Sequence, residues 1–206
     1  MSIVAGLILS ACAGDRFVPQ AGDLLFEIGS DSSFSNAITD ATAQDEELKF
    51  AHVAIVAADE NGDLCVIEAS GHGGVVCRSL DDFLMSAPKV NGCPGVVVKR
   101  VCAEFSVEET IARAREHLGE EYDWWYLPDN GRMYCSELVY ECFRTPDGEP
   151  LFSASPMNFR AADGSIPEFW RKLFAELDAP IPEGVAGTNP NDMSNDPVLR
   201  EVYRYF

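Results

Sequence analysis

Basic residues are scarce in this sequence: 15 Lys and Arg stand against 34 Asp and Glu in 206 residues, a formal net charge of −19 with histidine neutral. A nucleic-acid binder needs a basic face to displace counterions from phosphates, so that class is excluded. Electrostatic docking on anionic lipid is disfavoured for the same reason. Long hydrophobic runs are also missing. The apolar stretch from Ile3 to Ala13 falls well short of the roughly 20 residues a spanning helix takes. None of the 7 cysteines forms a C-x-x-C pair, so a zinc ribbon or thioredoxin-type motif has no basis. There is no internal repeat and no low-complexity tract. What remains is ordinary globular composition, 47% apolar and 24% charged, in a chain long enough for one sizeable core. The expectation is a soluble, single-domain enzyme.

The N-terminal stretch ends in Leu9-Ser10-Ala11-Cys12, which resembles a bacterial lipobox whose cysteine is lipidated after cleavage before it. That resemblance sets residues 1–13 apart as a lipoprotein signal, leaves 14–206 as the folded domain, and places the protein in the cell envelope with a lipid anchor at Cys12. The first residues carry no Lys or Arg, although such signals need a cationic start. The alternatives are a start further upstream, or a buried N-terminal strand or helix in a cytoplasmic protein. Of the other cysteines, Cys65 and Cys77 could face each other across neighbouring strands, as could Cys93 and Cys102. Small buried hydrophobes are the plainer reading for most of them.

Hydrophobic periodicity orders the rest. Residues 21–28 read as a turn and a short strand, and residues 30–47 carry a helical face of Phe34, Ala37, Ile38 and Ala41. Residues 51–58 and 64–69 are strand-like and flank Asp59-Glu60-Asn61-Gly62-Asp63, a strong hairpin signal. Further strands are expected at 74–78 and 95–102, with a helical turn at 80–85 between them. Ser106 and Glu109 have the spacing of a capping box for a helix ending near Gly119. Two more helices are expected, one opening at Cys135 and one over 166–177. Residues 180–196, rich in Pro, Gly and Asn, read as a long loop. Strands in the middle with helices to either side predict an α+β fold.

Three positions combine into nucleophilic chemistry. Cys135 would open a helix, where the dipole and unpaired backbone N–H groups favour a thiolate. His52 opens one strand and Glu68 ends the next; an imidazole can take the thiol proton, and a carboxylate behind it fixes its tautomer. The hairpin decides whether the two can meet. A two-residue Asn61-Gly62 turn pairs Ile55 with Glu68 and puts Glu68 on the face opposite His52. A three-residue loop with Gly62 left-handed pairs Ala54 with Glu68 and puts both on one face, diagonally within reach. The triad therefore requires the three-residue turn. Read singly, each residue has a plainer explanation: Cys135 as core thiol, His52 as an edge-of-strand histidine, Glu137 as an acid at a helix start. His72 reads as exposed, His117 as a surface residue near a helix end, and Trp124 and Trp125 as cleft wall or core. A metal site of His52, Glu68 and Cys135 lacks a fourth ligand, and no cofactor is expected.

Gly119-Glu120-Glu121-Tyr122-Asp123 followed by Met133-Tyr134-Cys135-Ser136-Glu137-Leu138-Val139 resembles the NlpC-type cell-wall amidases of the papain fold. The order His52, Glu68, Cys135 is similar to their circularly permuted, YiiX-like branch, as are Gly22-Asp23-Leu24-Leu25, His52-Val53-Ala54-Ile55-Val56, Ile67-Glu68-Ala69 and the tail around Ile181-Pro182 and Asn189-Pro190. The resemblance runs from about Gly22 to the C-terminus. It implies a circularly permuted papain-like fold, an antiparallel sheet or small barrel packed against helices. It also implies Cys135 as nucleophile, His52 as base, Glu68 as orienting acid, Tyr122 near the oxyanion site, and the 181–195 loop beside the cleft. The expected activity is hydrolysis of an amide through a thioester, with peptidoglycan stem peptide as the substrate suggested by analogy. The competing readings are a lipid acyltransferase or esterase of the lecithin:retinol acyltransferase type, whose third member is usually a second histidine, and a catalytically silent binding module.

Overall fold

The computed structural model describes residues 17–43, 47–59 and 61–206; the apolar N-terminal stretch and Cys12 lie outside the described residues. In chain order the elements are β1 (Leu24–Ile28), α1 (Ser33–Thr42), β2 (Phe50–Ala58), β3 (Leu64–Ser70), β4 (Gly74–Ser79), α2 (Leu80–Ser86), β5 (Lys89–Val90), β6 (Cys93–Pro94), β7 (Val96–Val101), α3 (Val107–Glu116), α4 (Cys135–Cys142), β8 (Ser155–Pro156), α5 (Glu168–Glu176), β9 (Ala186–Gly187), α6 (Pro190–Ser194) and β10 (Leu199–Arg204). Six strands form one antiparallel sheet in the order β10-β7-β1-β2-β3-β4. The fold is α+β, as expected.

The central strands are apolar on both faces because both faces are covered, and their sequences read as near-continuous hydrophobic runs for that reason. Leu24, Phe26, Val53, Ile55, Ile67 and Val97 face a core shared with Leu138 and Val139 of α4 and Trp170 and Phe174 of α5. Leu25, Ala54, Val56, Val66 and Val98 face a smaller core closed by Phe83 of α2. Strand alternation assigns each residue to its side.

Two features differ from the sequence expectation. Residues 180–196 are not simply a loop: they include β9 and the short helix α6, capped by Asn189, whose side chain accepts from the Asp192 N–H, with Pro190 opening the helix. Chain ends such as β10 carry alternating charges, so periodicity alone marks them weakly; β10 pairs with β7 at the sheet edge, where charged side chains are the usual guard against further pairing.

One glycine anchors the sheet to the segment that precedes α4. Gly74 has φ +67°, and a Cβ there would lie 2.0 Å from the Glu120 carbonyl oxygen. The close approach lets the Val75 N–H donate to Glu120 O (2.9 Å) and the Gly119 N–H donate to Val75 O (2.9 Å), fixing the stretch that carries Tyr122.

Candidate active site

The β2–β3 register is the one that brings His52 and Glu68 together. Ile55 pairs with Ile67 and Ala58 with Leu64, and one further step along that ladder puts Ala54 opposite Glu68. The Asp59 N–H donates to Asp63 O at 2.8 Å, and Gly62 sits at φ +86°, so the turn is the three-residue form with a left-handed glycine. On the other side of β2, Glu27 pairs with His52 but Ile28 pairs with Phe50, leaving Ala51 as a bulge. Bulges bend a strand and re-aim the side chains beside them. His52 Nε2 lies 2.5 Å from Glu68 Oε2.

Cys135 is the first residue of α4 and is buried. Glu137 reaches back to the helix start, where the Tyr134 N–H donates to its Oε2 at 3.3 Å, and the N–H groups of a helix's first turn have no partner within the helix itself. The Cys135 thiol acts on the His52 imidazole through hydrogen bonding and charge, both of which raise the imidazole's pKa. Because Nε2 is engaged by Glu68, Nδ1 is the nitrogen left for the sulfur.

Electrostatics set the protonation states. Burial alone would lower the His52 pKa, but the hydrogen bonds the imidazolium donates to Cys135 and Glu68 and the charge of the carboxylate outweigh it and hold the imidazole well above its usual 6.5. Burial alone would raise Glu68; the His52 and Arg78 partners overcome it and hold the carboxyl below its ordinary value. The arrangement favours imidazolium over neutral imidazole, which is what a cysteine–histidine ion pair needs.

Arg78 is the residue that sequence reasoning missed. Its Nε lies 2.5 Å from Glu68 Oε1, so the carboxylate is held between an imidazole and a guanidinium. Glu68 pairs with Val76, and Arg78, two residues on, lies on the same face; the Ser70–Gly74 turn carried the signal, had its register been worked out. Glu27 joins the same face opposite His52, and burial raises its pKa.

Two cavities flank the site. One, of about 50 Å³, is lined by Cys135, Ser136, Tyr122, Tyr126, Tyr134 and Trp170, among others. The larger, about 440 Å³, is lined by Glu27, His52, Glu68, Arg78, Tyr122 and Trp124, among others. Tyr122 borders both, with its ring 4.7 Å from Trp124 and 6.4 Å from Tyr126 between centroids. Burial raises the Tyr122 pKa well above 10, so its phenol stays a proton donor. The 181–195 segment does reach the cleft: Thr188, Asn189 and Pro190 line the smaller cavity, and the Thr188 N–H donates to Tyr134 Oη at 3.1 Å.

Other candidates fall elsewhere. Asp23 is fully buried and receives Arg100 through two hydrogen bonds of 2.6 and 2.8 Å, which makes the Gly22-Asp23 pair a clamp between β1 and β7. His72 is exposed on the rim of the larger cavity, and His117 caps α3 beside Glu120, 3.1 Å away. Trp124 forms cleft wall, while Trp125 stacks under Arg132. Glu137 is buried; burial and the nearby Asp123, Glu141 and Asp129 carboxylates raise its pKa to about 8, although the Tyr134 N–H works against them. Cys65, Cys77, Cys102 and Cys142 are free thiols; Cys77 and Cys102 are exposed, so the reading of most cysteines as small core residues does not cover them.

Residues 18–203 match the family described as "Permuted papain-like amidase enzyme, YaeF/YiiX, C92 family". The chain belongs to this family. Within it, the chain is 29% identical over 187 residues to the uncharacterized protein YiiX of Escherichia coli K12, covering 89% of this chain and 86% of that one. A crystal structure of YiiX from Escherichia coli O157:H7, described as a metalloprotein, superposes with a TM-score of 0.71 at 28% identity, over 90% of this chain and 97% of the other. The papain-like cysteine amidase and peptidase activity of the family agrees with the hydrolase expected from the sequence. Among the described residues no group of three or more His, Cys, Asp or Glu side chains is arranged to hold a metal ion, and the His52 nitrogen on the Glu68 side is already taken.

Proposed function

We propose that the protein is a cysteine amidase in which Cys135 is the nucleophile, His52 the acid–base, Glu68 the orienting carboxylate and Tyr122 an oxyanion-side donor. The observation that carries this reading is the single imidazole placed between a helix-start thiol and a buried carboxylate. The Cys135 sulfur attacks the amide carbonyl, and the negative charge on oxygen is met by the Cys135 backbone N–H and the Tyr122 hydroxyl. As the C–N bond breaks, imidazolium gives its proton to the leaving amine, and a thioester remains on Cys135. A water then loses a proton to His52 and adds to the thioester; collapse of that intermediate releases the carboxylic acid and returns the proton to the site.

The substrate is a small peptide or amide, and peptidoglycan stem peptide is the proposed natural one. Placement in the cell envelope is proposed on the lipobox-like segment at Cys12, and lipid anchoring on the same ground. A lipid amide or ester is the second reading, favoured by one observation: the cavity at Cys135 is walled by Ile38, Tyr126, Phe159 and Trp170.

Labelling with a thiol-directed activity probe tests the first claim: the native protein should label at Cys135 and Cys135→Ala should not label there. Incubation with muropeptides and, separately, with phospholipids and N-acyl amines then distinguishes the substrate classes by product mass. A probe that modifies other cysteines while leaving Cys135 untouched overturns the reading.

A further inference from the structure

The carboxylate behind the histidine has a second, built partner. Glu68 is only 4% exposed at its side chain, with one oxygen on His52 and the other 2.5 Å from Arg78 Nε. Arg78 is itself held on two further sides. Its Nη1 donates to Ser86 Oγ at 2.7 Å, its guanidinium lies 4.9 Å over the Phe83 ring, and Phe83 in turn stacks on the His52 ring at 6.4 Å. Helix α2, opened by the Ser79 cap, supplies both Phe83 and Ser86. One short helix thus supports the guanidinium and the imidazole together, which is more than a surface ion pair requires.

We propose that Arg78 is a positioning residue of the amidase: by holding the far oxygen of Glu68, it fixes the near oxygen on His52 and so sets the imidazole that faces Cys135. The inference rests on the Cys135–His52–Glu68 reading above. Arginine suits the task because its planar fork keeps direction where an ammonium does not, and losing one hydrogen bond to a charged group is worth roughly tenfold. The charged groups facing the pair are His52 on β2, Glu27 on β1, Arg78 on β4 and, beside Glu27, Lys89 on β5, with Cys135 of α4 beyond the imidazole. Glu27 and Glu68 repel each other, and the His52 imidazolium and the Arg78 guanidinium together offset both.

The test needs no substrate. The second-order rate of iodoacetamide alkylation at Cys135, resolved by peptide mass, is followed from pH 4 to pH 9 for the native protein and for Arg78→Gln, Arg78→Lys, Glu68→Gln, Glu68→Gln with Arg78→Gln, and Cys135→Ala. Arg78→Gln should lower the rate about tenfold at neutral pH and move its acid limb to higher pH. Arg78→Lys, which keeps the charge, should restore the limb but not the full rate. The double variant should react no more slowly than Glu68→Gln alone, since Arg78 acts through Glu68. An Arg78→Gln profile that superposes on the native one, or losses that add in the double variant, overturns the inference. If Arg78→Gln melts too low to assay, Arg78→Lys and the pH limb still decide it: a native rate in Arg78→Lys means that the guanidinium geometry is not used. Failure of the reading beneath is separately visible, as a Cys135 that alkylates no faster than a free thiol in every variant.

Discussion

Alanine at Gly74 should be far more damaging than alanine at Gly62, although the two backbones are alike. Both lie in the left-handed region, at φ +67° and +86°, so each substitution carries a conformational cost of about 1–2 kcal/mol. Restricting the unfolded chain returns roughly 0.4–1 kcal/mol in both cases. The surroundings differ. A Cβ at Gly62 meets nothing within 4 Å, whereas at Gly74 it meets the Glu120 carbonyl oxygen at 2.0 Å, against ordinary contact at 3.4 Å or more. The two segments must therefore part by more than an ångström, and the Val75-to-Glu120 and Gly119-to-Val75 hydrogen bonds stretch with them. Losing two such bonds adds about 1 kcal/mol each. The totals are near 1 kcal/mol for Gly62→Ala and about 3 kcal/mol for Gly74→Ala. At roughly 2–4 °C per kcal/mol for a chain of this size, the melting temperature should fall by a few degrees in the first and by about 10 °C in the second. Because the displaced segment carries Tyr122, Gly74→Ala should also slow turnover below its own melting point, while Gly62→Ala should not. Thermal melts with paired activity assays measure both. Equal melting losses in the two variants would refute the assignment of the difference to the Glu120 contact.

Glu68→Gln keeps the shape of the side chain but removes the charge that fixes the His52 tautomer; turnover should fall by roughly a thousandfold or more, with Cys135 still partly reactive toward small alkylators. Loss of alkylation equal to that of Cys135→Ala would assign Glu68 a different role. The carboxyl of Glu68 is held below its ordinary value of 4.5, so its ionised form contributes stability above that pH that is lost as pH falls through the lowered native value; urea titrations of Glu68→Gln should lack this acid-side decline. His52, held above 6.5, contributes in the opposite sense, with stability present below that pH and lost as pH rises through its raised native value. Glu137 keeps its proton to about pH 8 when folded but releases it near 4.5 when unfolded, so native stability should decline between those values, and Glu137→Gln should flatten the decline. Asp23→Asn leaves the partly solvated Arg100 without its charge partner and should cost about 2 kcal/mol in urea titrations, while the rate of Cys135 alkylation stays native.

Much of the site was legible because its parts are local. A Cys at a predicted helix start, a His opening a strand and a Glu ending the next are each readable in a short window. The Asn61-Gly62 turn even carries the register that joins two of them, since period-two alternation leaves only two choices of face and chemistry prefers one. Arg78 was not legible in the same way. Its pairing with Glu68 depends on the β3–β4 register together with a side-chain direction set by Ser86 and Phe83, two contacts from a different element. The short helix α6 had its signals in Asn189, Pro190 and Asp192, but they were submerged in a segment rich in breakers. The charged, weakly periodic β10 becomes a strand because β7 offers it an unpaired edge.

Composition and pattern alone fixed what depends on neighbours along the chain: apolar strands, capped helices, an acidic surface, and a turn whose glycine dictates which faces agree. Only folding could bring the helix-start thiol from a distant part of the chain to the imidazole, and the guanidinium to the back of the carboxylate. Those encounters join residues scores of positions apart, and the free energy that holds them comes from burial of the two cores on either side of the sheet rather than from any local preference.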